Sequence, residues 1–139
     1  MPSDTVKAVE SQQAQSKASK RATLDLLRSK KKRTREVPFV LNDEEVTFAF
    51  ASISAKRYDK LLTENPPNTE QRAAGAAYNM NTFAPALLAE VVSDPELTKA
   101  QWSEIWESPD WNRGELMTLF SEAVELCNTG LQLGPTATV

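Results

Sequence analysis

The sequence predicts a mainly helical α+β fold, in which a small β-hairpin leads into a compact bundle of about four to five short helices. Apolar residues alternate with a period of two between residues 37 and 50, and they recur at helical spacing from about residue 54 onward. Large apolar side chains are scarce before residue 36. We therefore expect a disordered basic N-terminal arm at 1–35, one folded domain at 36–130 and a flexible C-terminal tail at 131–139.

The predicted arm is rich in Ser, Gln, Ala and Lys. Such a composition buries too little apolar surface to offset the entropy that the chain loses on ordering. Leu24, Leu26 and Leu27 predict at most one or two helical turns. We interpret the basic cluster at residues 30–35 as a solvated hinge between the arm and the domain.

A β-hairpin is predicted to open the folded domain. Period-two spacing puts three apolar side chains on one face of each strand: Val37, Phe39 and Leu41 in the first, and Val46, Phe48 and Phe50 in the second. A polar turn at 42–44 joins them, and Pro38, which has no amide donor, predicts that the first strand is an edge. Because two strands alone are marginal in water, their apolar face must lie on helices or on another copy. The edge makes Val37, Phe39 and Leu41 our candidates for self-association into a homo-oligomer.

Two helices are predicted after the hairpin. Ser54 caps the first, which ends at residues 65–67 and carries one apolar stripe: Ala55, Tyr58, Leu61 and Leu62. Asn68 followed by Gln71 has the spacing of a capping box for the second. That helix has a narrow face of small residues and one methionine, which predicts close helix packing: Ala73, Ala76, Ala77 and Met80.

Pro85 interrupts this helical pattern. A proline in a helix interior loses a backbone hydrogen bond and clashes one turn back, so we predict a break at 81–84 and a new helix that begins at Pro85. Four residues after it are expected to pack inward: Leu87, Leu88, Val91 and Val92. We interpret Asp94 and Pro95 as a further helix cap with proline at the first helical position.

Two more helices follow, each started by a capping box. Thr98 and Gln101 start the helix that carries the first two tryptophans. Asn112 and Glu115 start the last helix, for which Gly130 is the predicted C-terminal stop. The apolar positions of that last helix recur at helical spacing: Leu116, Leu119, Phe120, Ala123, Val124 and Cys127.

Composition argues against an enzyme. The chain has no histidine, which is the usual general base near neutral pH and the commonest metal ligand. Cys127 is the only cysteine, so no intrachain disulfide is possible, and its place on an apolar stripe favours a buried small side chain over a nucleophile. The carboxylate pairs lack the convergent partners of an acid–base or metal site and are interpreted as solvated helix faces: Glu104 with Glu107, and Glu122 with Glu125. We predict no catalytic residue, no cofactor and no metal.

Neither a membrane nor a nucleic acid is an expected partner. No stretch approaches the roughly 18 apolar residues of a membrane span, and residues 1–20 hold no apolar signal segment. Residues 1–36 carry ten Lys and Arg against four Asp and Glu, whereas residues 37–139 carry six against fifteen. The cluster at 30–35 could contact phosphates, but no aromatic side chains are interleaved with it for base stacking.

Three tryptophans within ten residues are the most distinctive feature of the chain. Trp102 and Trp106 are four residues apart, on one helix face. Core packing is the first interpretation. The alternative is a partner-binding groove among the last two helices, because Trp is enriched at interface hot spots. Its candidate residues are Trp102, Trp106, Trp111 and Phe120.

From about residue 36 to 130, the order of these segments resembles tail assembly chaperones of siphophages that infect actinobacteria. The resemblance rests on the stretches TFAPALL at 82–88, DPELT at 94–98 and WNRGEL at 111–116. None of them is a catalytic signature, so their order and combination carry it.

The resemblance implies a non-enzymatic protein of the host cytoplasm that is not part of the mature virion. Proteins of this family bind the tape measure protein, a very long helical chain with apolar stretches, in many copies. They keep it soluble until the tail tube polymerises around it. In many of these phages, a programmed frameshift adds a second domain to a minority of molecules, which is thought to recruit the tail tube protein.

Two other classes of protein remain alternatives. A minor structural virion protein, such as a head-tail connector or a tail component, can also be small, poor in histidine and helical with a hairpin. Detection of the chain in purified particles would favour that class. A nucleic-acid-binding regulator would use the basic arm, and its binding would be tight and sensitive to salt.

Overall fold

The structure, a computed structural model, describes residues 19–135 and confirms the α+β class. The elements in chain order are α1 (Leu24–Arg28), β1 (Thr34–Leu41), β2 (Glu44–Ala51), α2 (Ala55–Glu64), α3 (Thr69–Ala73), α4 (Met80–Val91), β3 (Val92–Asp94), α5 (Lys99–Glu107) and α6 (Arg113–Asn128). The disorder predicted for residues 1–18 and the flexibility predicted for 136–139 lie outside the described residues.

The described chain divides into two compact units, residues 32–129 and a smaller unit to which residues 19–31 and 130–135 belong. In the smaller unit, α1 is a single helical turn that begins after Thr23, whose hydroxyl accepts a hydrogen bond from the Leu26 amide at 3.2 Å. No residue of α1 is buried. Residues 130–134 form neither helix nor strand.

The predicted hairpin is present, and its strands are joined by a two-residue turn. Leu41 pairs with Glu44, and the turn residues Asn42 and Asp43 have positive φ angles of 50° and 66°. Two successive left-handed residues match the right-handed twist of a hairpin, and Asn and Asp tolerate that conformation better than most residues. β1 begins at Thr34, two residues before the predicted start of the domain.

Pro38 lies where its missing amide costs the hairpin nothing. The Ser52 amide donates to the Arg33 carbonyl at 2.9 Å, which makes that pair a hydrogen-bonded one. Hydrogen-bonded and non-hydrogen-bonded pairs alternate along an antiparallel hairpin. Pro38, opposite Thr47, is therefore in a non-hydrogen-bonded pair, and its amide side points away from β2. β1 pairs with β2 alone in the described sheet, so the predicted edge is confirmed.

A third strand was missed in the sequence. β3 pairs antiparallel with β2, with Ala49 opposite Asp94 and Phe50 opposite Val92, and a register irregularity lies between Ala49 and Phe50. The interpretation of Asp94 and Pro95 as a helix cap is therefore wrong. Three residues are too few to show a period-two pattern, and it is the exposed edge of β2 that makes them a strand.

Local capping signals predicted the starts of four helices correctly. Capping boxes are formed by Asn68 with Gln71, by Thr98 with Gln101 and by Asn112 with Glu115. The Ser54 hydroxyl accepts from the Arg57 amide at 3.1 Å and so caps α2. These interactions span three residues, which is why sequence spacing alone reveals them.

The predicted helix break and restart at Pro85 are wrong, because α4 begins five residues earlier and contains Pro85. Asn79 caps α4: its side-chain oxygen accepts from the Asn81 amide at 3.0 Å, and its carbonyl accepts from the Phe83 amide at 2.8 Å. The carbonyl that loses a partner to Pro85 belongs to Asn81, an exposed residue of the first turn that water can reach. The ring of Pro85 is fully buried.

The predicted face of small residues is also wrong. α3 ends at Ala73, and Gly75 has a φ of +89°, which turns the chain out of the helix. Ala73, Ala76 and Ala77 are all exposed. Alanine spacing indicates helix packing only when a helix continues through it, and here the glycine stops that helix.

The core lies around α4, where seven residues are buried: Phe83, Ala84, Pro85, Ala86, Leu87, Leu88 and Val91. Phe83 is the aromatic centre, with ring centroids 5.7 Å from Tyr58, 4.6 Å from Tyr78 and 6.0 Å from Phe120. Phe48 and Phe50 are buried in the same cluster. The expectation that the phenylalanine-rich face of the hairpin lies on helices is confirmed, as is the inward packing of Leu87, Leu88, Val91 and Val92.

Two arginines of the basic cluster are part of the folded unit, so the solvated-hinge interpretation fails for them. Arg33 Nη1 donates to the Thr129 carbonyl at 2.7 Å, at the C-terminus of α6, where a cation is favoured by the helix dipole. Arg35 pairs with Glu122 on α6. α6 ends at Asn128 with Thr129 as its C-cap and does not use Gly130 as a left-handed stop.

Candidate functional site

The four candidate partner-binding residues do not lie in one environment. Trp102 and Phe120 are 1% and 4% exposed and belong to the core. Trp106 and Trp111 are half-buried and pack against the edge of the same core. The structure therefore splits the candidate set, and only Trp106 and Trp111 present surface to a partner.

Trp102 has one unusual feature inside the core. Among the described residues, its indole Nε1 is the one buried side-chain nitrogen or oxygen atom without a hydrogen-bond partner. A buried donor left unpaired is destabilising, by about 1–3 kcal/mol. The apolar area of the indole offsets this cost.

Trp106 and Trp111 meet at an open pocket of about 230 Å³, which we call the tryptophan pocket. Its other lining residues come from the first turns of α4 and α6: Met80, Asn81, Arg113, Leu116 and Met117. The surface is mixed: two indoles and two thioethers lie beside the polar side chains of Asn81 and Arg113. The methionines can adapt to different side chains, because methionine has three rotatable bonds and a polarisable sulfur. Arg113 is the one charged lining residue.

A second pocket, of about 120 Å³, lies between the hairpin and α6, and we call it the hairpin pocket. Its lining is mostly apolar and aromatic: Phe39, Val40, Leu41, Phe48, Trp111, Glu115, Thr118 and Leu119. Phe39 and Phe48 meet edge to face, with centroids 5.5 Å apart. The three self-association candidates, Val37, Phe39 and Leu41, all pack against the core of their own chain, and Phe39 and Leu41 also line this pocket.

Trp111 lines both pockets, which lie on opposite flanks of α6. Arg113 and Met117 are one turn apart on one flank, and Glu115 and Leu119 are one turn apart on the other. Trp111 is held just before the helix by the turn in which its amide donates to the Ser108 carbonyl at 3.3 Å. Two separate sites thus share one indole wall.

Acidic side chains dominate the segment that carries Trp106 and Trp111. Residues 101–120 contain four Asp and Glu against one Arg. Glu104, Glu107 and Asp110 are exposed, and none of them has an ion-pair partner within residues 19–135. The surroundings of the tryptophan pocket therefore keep an unneutralised negative charge.

A third, more polar pocket of about 210 Å³ lies among α2, α4 and the start of α5. Arg57 and Glu90 line it and form an ion pair, with Nε 2.6 Å from Oε1. The hydrogen bond to Glu90 raises the pKa of the Arg57 guanidinium, so the arginine stays charged. Arg57 and Glu90 therefore satisfy each other, while Glu64 and Lys99 also line the pocket.

Three of the residues weighed as possible chemical groups, Glu122, Glu125 and Cys127, are engaged in structural contacts. Arg35 lies between Glu122 and Glu125, at 2.8 Å and 3.8 Å. Burial raises the pKa of the Cys127 thiol, which disfavours the thiolate that a nucleophile or metal ligand requires. Across residues 19–135, no three acidic or cysteine side chains are grouped as a metal site would need.

Comparison of the chain with protein-family models, with curated proteins and with solved structures gives no match in any of the three. Within the described part of the chain, no helix is both long enough and apolar enough to cross a membrane.

Sequence reasoning missed Met80 and Met117 as pocket residues. Met80 had been assigned to a small-residue packing face, and Met117 falls between apolar positions of the α6 stripe. The signal that could have found Met117 is its position one residue after Leu116, at the margin of the buried stripe and one turn from Arg113. Met80 could be found only by recognising Asn79 as the α4 cap.

Proposed function

We propose that this chain is a non-enzymatic tail assembly chaperone, which binds the tape measure protein in several copies and keeps it soluble in the host cytoplasm until the tail tube assembles. The observation that carries the proposal is the tryptophan pocket, an open aromatic and thioether surface on an acidic body. The resemblance of residues 36–130 to the siphophage family supplies the identity of the client.

The chemistry of the tryptophan pocket suits an apolar side chain of a helical client. An amphipathic helix presents apolar anchors at spacings of three and four residues, and each anchor needs a concave apolar seat. Trp106 and Trp111 supply large, flat walls, while Met80 and Met117 can repack around different side chains. A surface of this kind tolerates the many different apolar stretches of a very long client.

The charge of the body suits a protein that must keep such a client in solution. Residues 37–139 carry nine more acidic than basic side chains. Net charge keeps a protein and its complexes apart from one another. A client coated with acidic copies would repel other coated clients, whereas each copy, held by one pocket of about 230 Å³, could leave as tube subunits arrive.

Co-expression with the tape measure protein of the same phage tests the proposal. We expect the tape measure protein to be insoluble alone, soluble with this chain, and to elute with several copies of it on size exclusion. An insoluble client in the presence of abundant soluble chain would overturn the proposal. Detection of the chain in purified virions at the level of a structural component would favour the minor-virion-protein alternative.

A pair of variants ties the result to the pocket. Trp106→Ala removes one wall of the tryptophan pocket and should reduce the amount of client that co-purifies. Leu133→Ala removes an exposed apolar side chain that lines none of the three pockets described above, and it should have no effect. Equal recovery of client with both variants would show that another surface binds it.

A further inference from the structure

The segment just before the hairpin is both apolar and basic, and we call residues 20–32 the leucine segment. Leu24, Leu26 and Leu27 are 60%, 44% and 67% exposed. The same residues 20–32 carry six Lys and Arg against one Asp. Exposed leucines next to clustered cations match a partner surface that is apolar and bordered by carboxylates.

The hairpin pocket has those two properties. Its floor is formed by Phe39, Phe48 and Leu119, and Glu115 is its one charged lining residue. Glu44 pairs with Leu41 across the strands, so its side chain lies on the same sheet face as the pocket.

None of these carboxylates is neutralised by a neighbour. Glu44 and Glu115 form no ion pair within the described residues. No lysine or arginine lines the hairpin pocket, in contrast to the tryptophan pocket, which has Arg113. The charge around the hairpin pocket is therefore complementary to the cations of the leucine segment.

The dimensions of the hairpin pocket suit a leucine side chain. The pocket holds about 120 Å³ and is open on one side. For comparison, a closed apolar cavity of about 150 Å³ accommodates benzene. A branched aliphatic side chain of four carbons has a similar size, so one leucine fits while the other two cover the rim.

The length of the chain favours a second copy as the source of that leucine. The pocket is at the Leu41 end of β1, and the leucine segment joins β1 at Thr34, about 23 Å away along the strand. The link from Arg28 to Thr34 spans at most about 21 Å when fully straight. The leucines would reach the pocket of their own chain only with this link stretched back along β1.

We propose that the leucine segment of one copy docks in the hairpin pocket of a second copy, with Lys30, Lys31 and Lys32 against Glu44 and Glu115. Each copy has one segment and one pocket, so the contact is head-to-tail and can continue from copy to copy. The tryptophan pocket lies on the opposite flank of α6 and stays open. The contact therefore goes beyond the client-binding proposal and can be tested on the purified chain alone.

Sedimentation velocity of the full chain over a range of concentrations is the first test. We expect the mean mass to rise with concentration and to fall as salt is added, because salt screens the carboxylate–lysine attraction. Leu24→Gln with Leu26→Gln and Leu27→Gln should raise the dissociation constant about tenfold or more. The control Leu131→Gln with Leu133→Gln changes leucines that are 81% and 70% exposed and should leave association unchanged.

A charge exchange then tests which surfaces meet. Lys30→Glu with Lys31→Glu and Lys32→Glu should weaken association, and so should Glu44→Lys. All four changes in one chain should restore part of it, because opposite charges meet again at Glu44→Lys. A combined variant weaker than both parents would overturn the proposal. So would a monomer at every concentration, or an association that nuclease treatment abolishes, since nucleic acid would then be the bridge.

Discussion

Arg35 on β1 and Glu122 on α6 join the hairpin to the last helix through a hydrogen bond of 2.8 Å between Nη1 and Oε2. Arg35 pairs with Phe50 across the strands, so its side chain leaves the sheet on the face that packs against the helices. The residues are 87 positions apart in the chain. This contact turns a cation of the basic cluster into a tertiary link.

A double-mutant cycle should measure this link. Arg35→Ala, Glu122→Ala and the double variant, compared by urea unfolding, should give a coupling of about 0.5–1 kcal/mol, because the side chains are only partly exposed. Lys60 and Glu64, at 3.9 Å and more exposed, are the control pair, with an expected coupling of about 0.3 kcal/mol or less. Equal coupling in both pairs would mean that Arg35 and Glu122 contribute no more than a surface ion pair.

The two tryptophans of α5 should differ in their effect on stability. Trp102→Ala should lower the free energy of unfolding by about 3–5 kcal/mol, since a fully buried indole leaves a cavity. Trp106→Ala should cost about 1–2 kcal/mol, because Trp106 is half-buried. Urea unfolding followed by far-ultraviolet circular dichroism gives both values.

Trp102→Phe refines that comparison. Phenylalanine keeps much of the buried apolar area and removes the unpartnered Nε1 donor, so it should cost clearly less than Trp102→Ala. If Trp106→Ala proved as damaging as Trp102→Ala, Trp106 would be a core residue, and the tryptophan pocket would lose its role in the proposed function.

Interactions within a few residues could be read from the sequence, and tertiary ones could not. The capping boxes at Asn68, Thr98 and Asn112 each depend on a pair three residues apart, so their spacing predicts them. Strand β3 depends on the edge of β2, about 43 residues earlier, which no local pattern reports. The helix start was wrongly predicted at Pro85, because the cost of a proline inside a helix depends on whether water reaches the carbonyl left without a partner, here that of Asn81.

The candidate site shows the same division. Helical spacing put Trp102 and Trp106 on one face, and both do pack toward the core. Spacing cannot tell that α5 ends at Glu107, which leaves Trp106 in the last turn at the margin of the core. The partial exposure of Trp106, and its position with Met117 in the lining of one pocket, follow from where the neighbouring helices end.

Two substitutions at the hairpin turn should change the free energy of unfolding in opposite directions. Asp43 has a φ of 66°, and within residues 19–135 its side chain makes no hydrogen bond or ion pair that would hold it there. Asp43→Gly should stabilise the chain by about 0.5–1 kcal/mol, because glycine adopts positive φ without strain. Asp43→Ala should destabilise it by about 1 kcal/mol. Thermal unfolding of the parent chain and of the two variants measures both effects. Equal effects of alanine and glycine would contradict the turn geometry.

Alkaline pH should destabilise the folded chain through Tyr58. Burial raises the pKa of the Tyr58 phenol above its ordinary value, and this effect exceeds the lowering by the nearby Asn128 side chain. Below pH of about 10, both folded and unfolded chains keep the phenol proton, and its contribution to stability is fully present. As the pH rises further, the unfolded chain loses the proton first, so the free energy of unfolding falls until the pH passes the folded pKa.

Tyr58→Phe isolates this contribution, because phenylalanine cannot titrate. The variant keeps the half-buried ring, so it should change little in stability at neutral pH, yet its stability should fall less steeply above pH of about 10. Cys127, whose thiol pKa is also raised by burial, adds a decline of the same sign that begins at lower pH. Chemical unfolding of the two single variants and the double variant would separate the groups, and a decline in Tyr58→Phe as steep as in the parent chain would assign the effect to other residues.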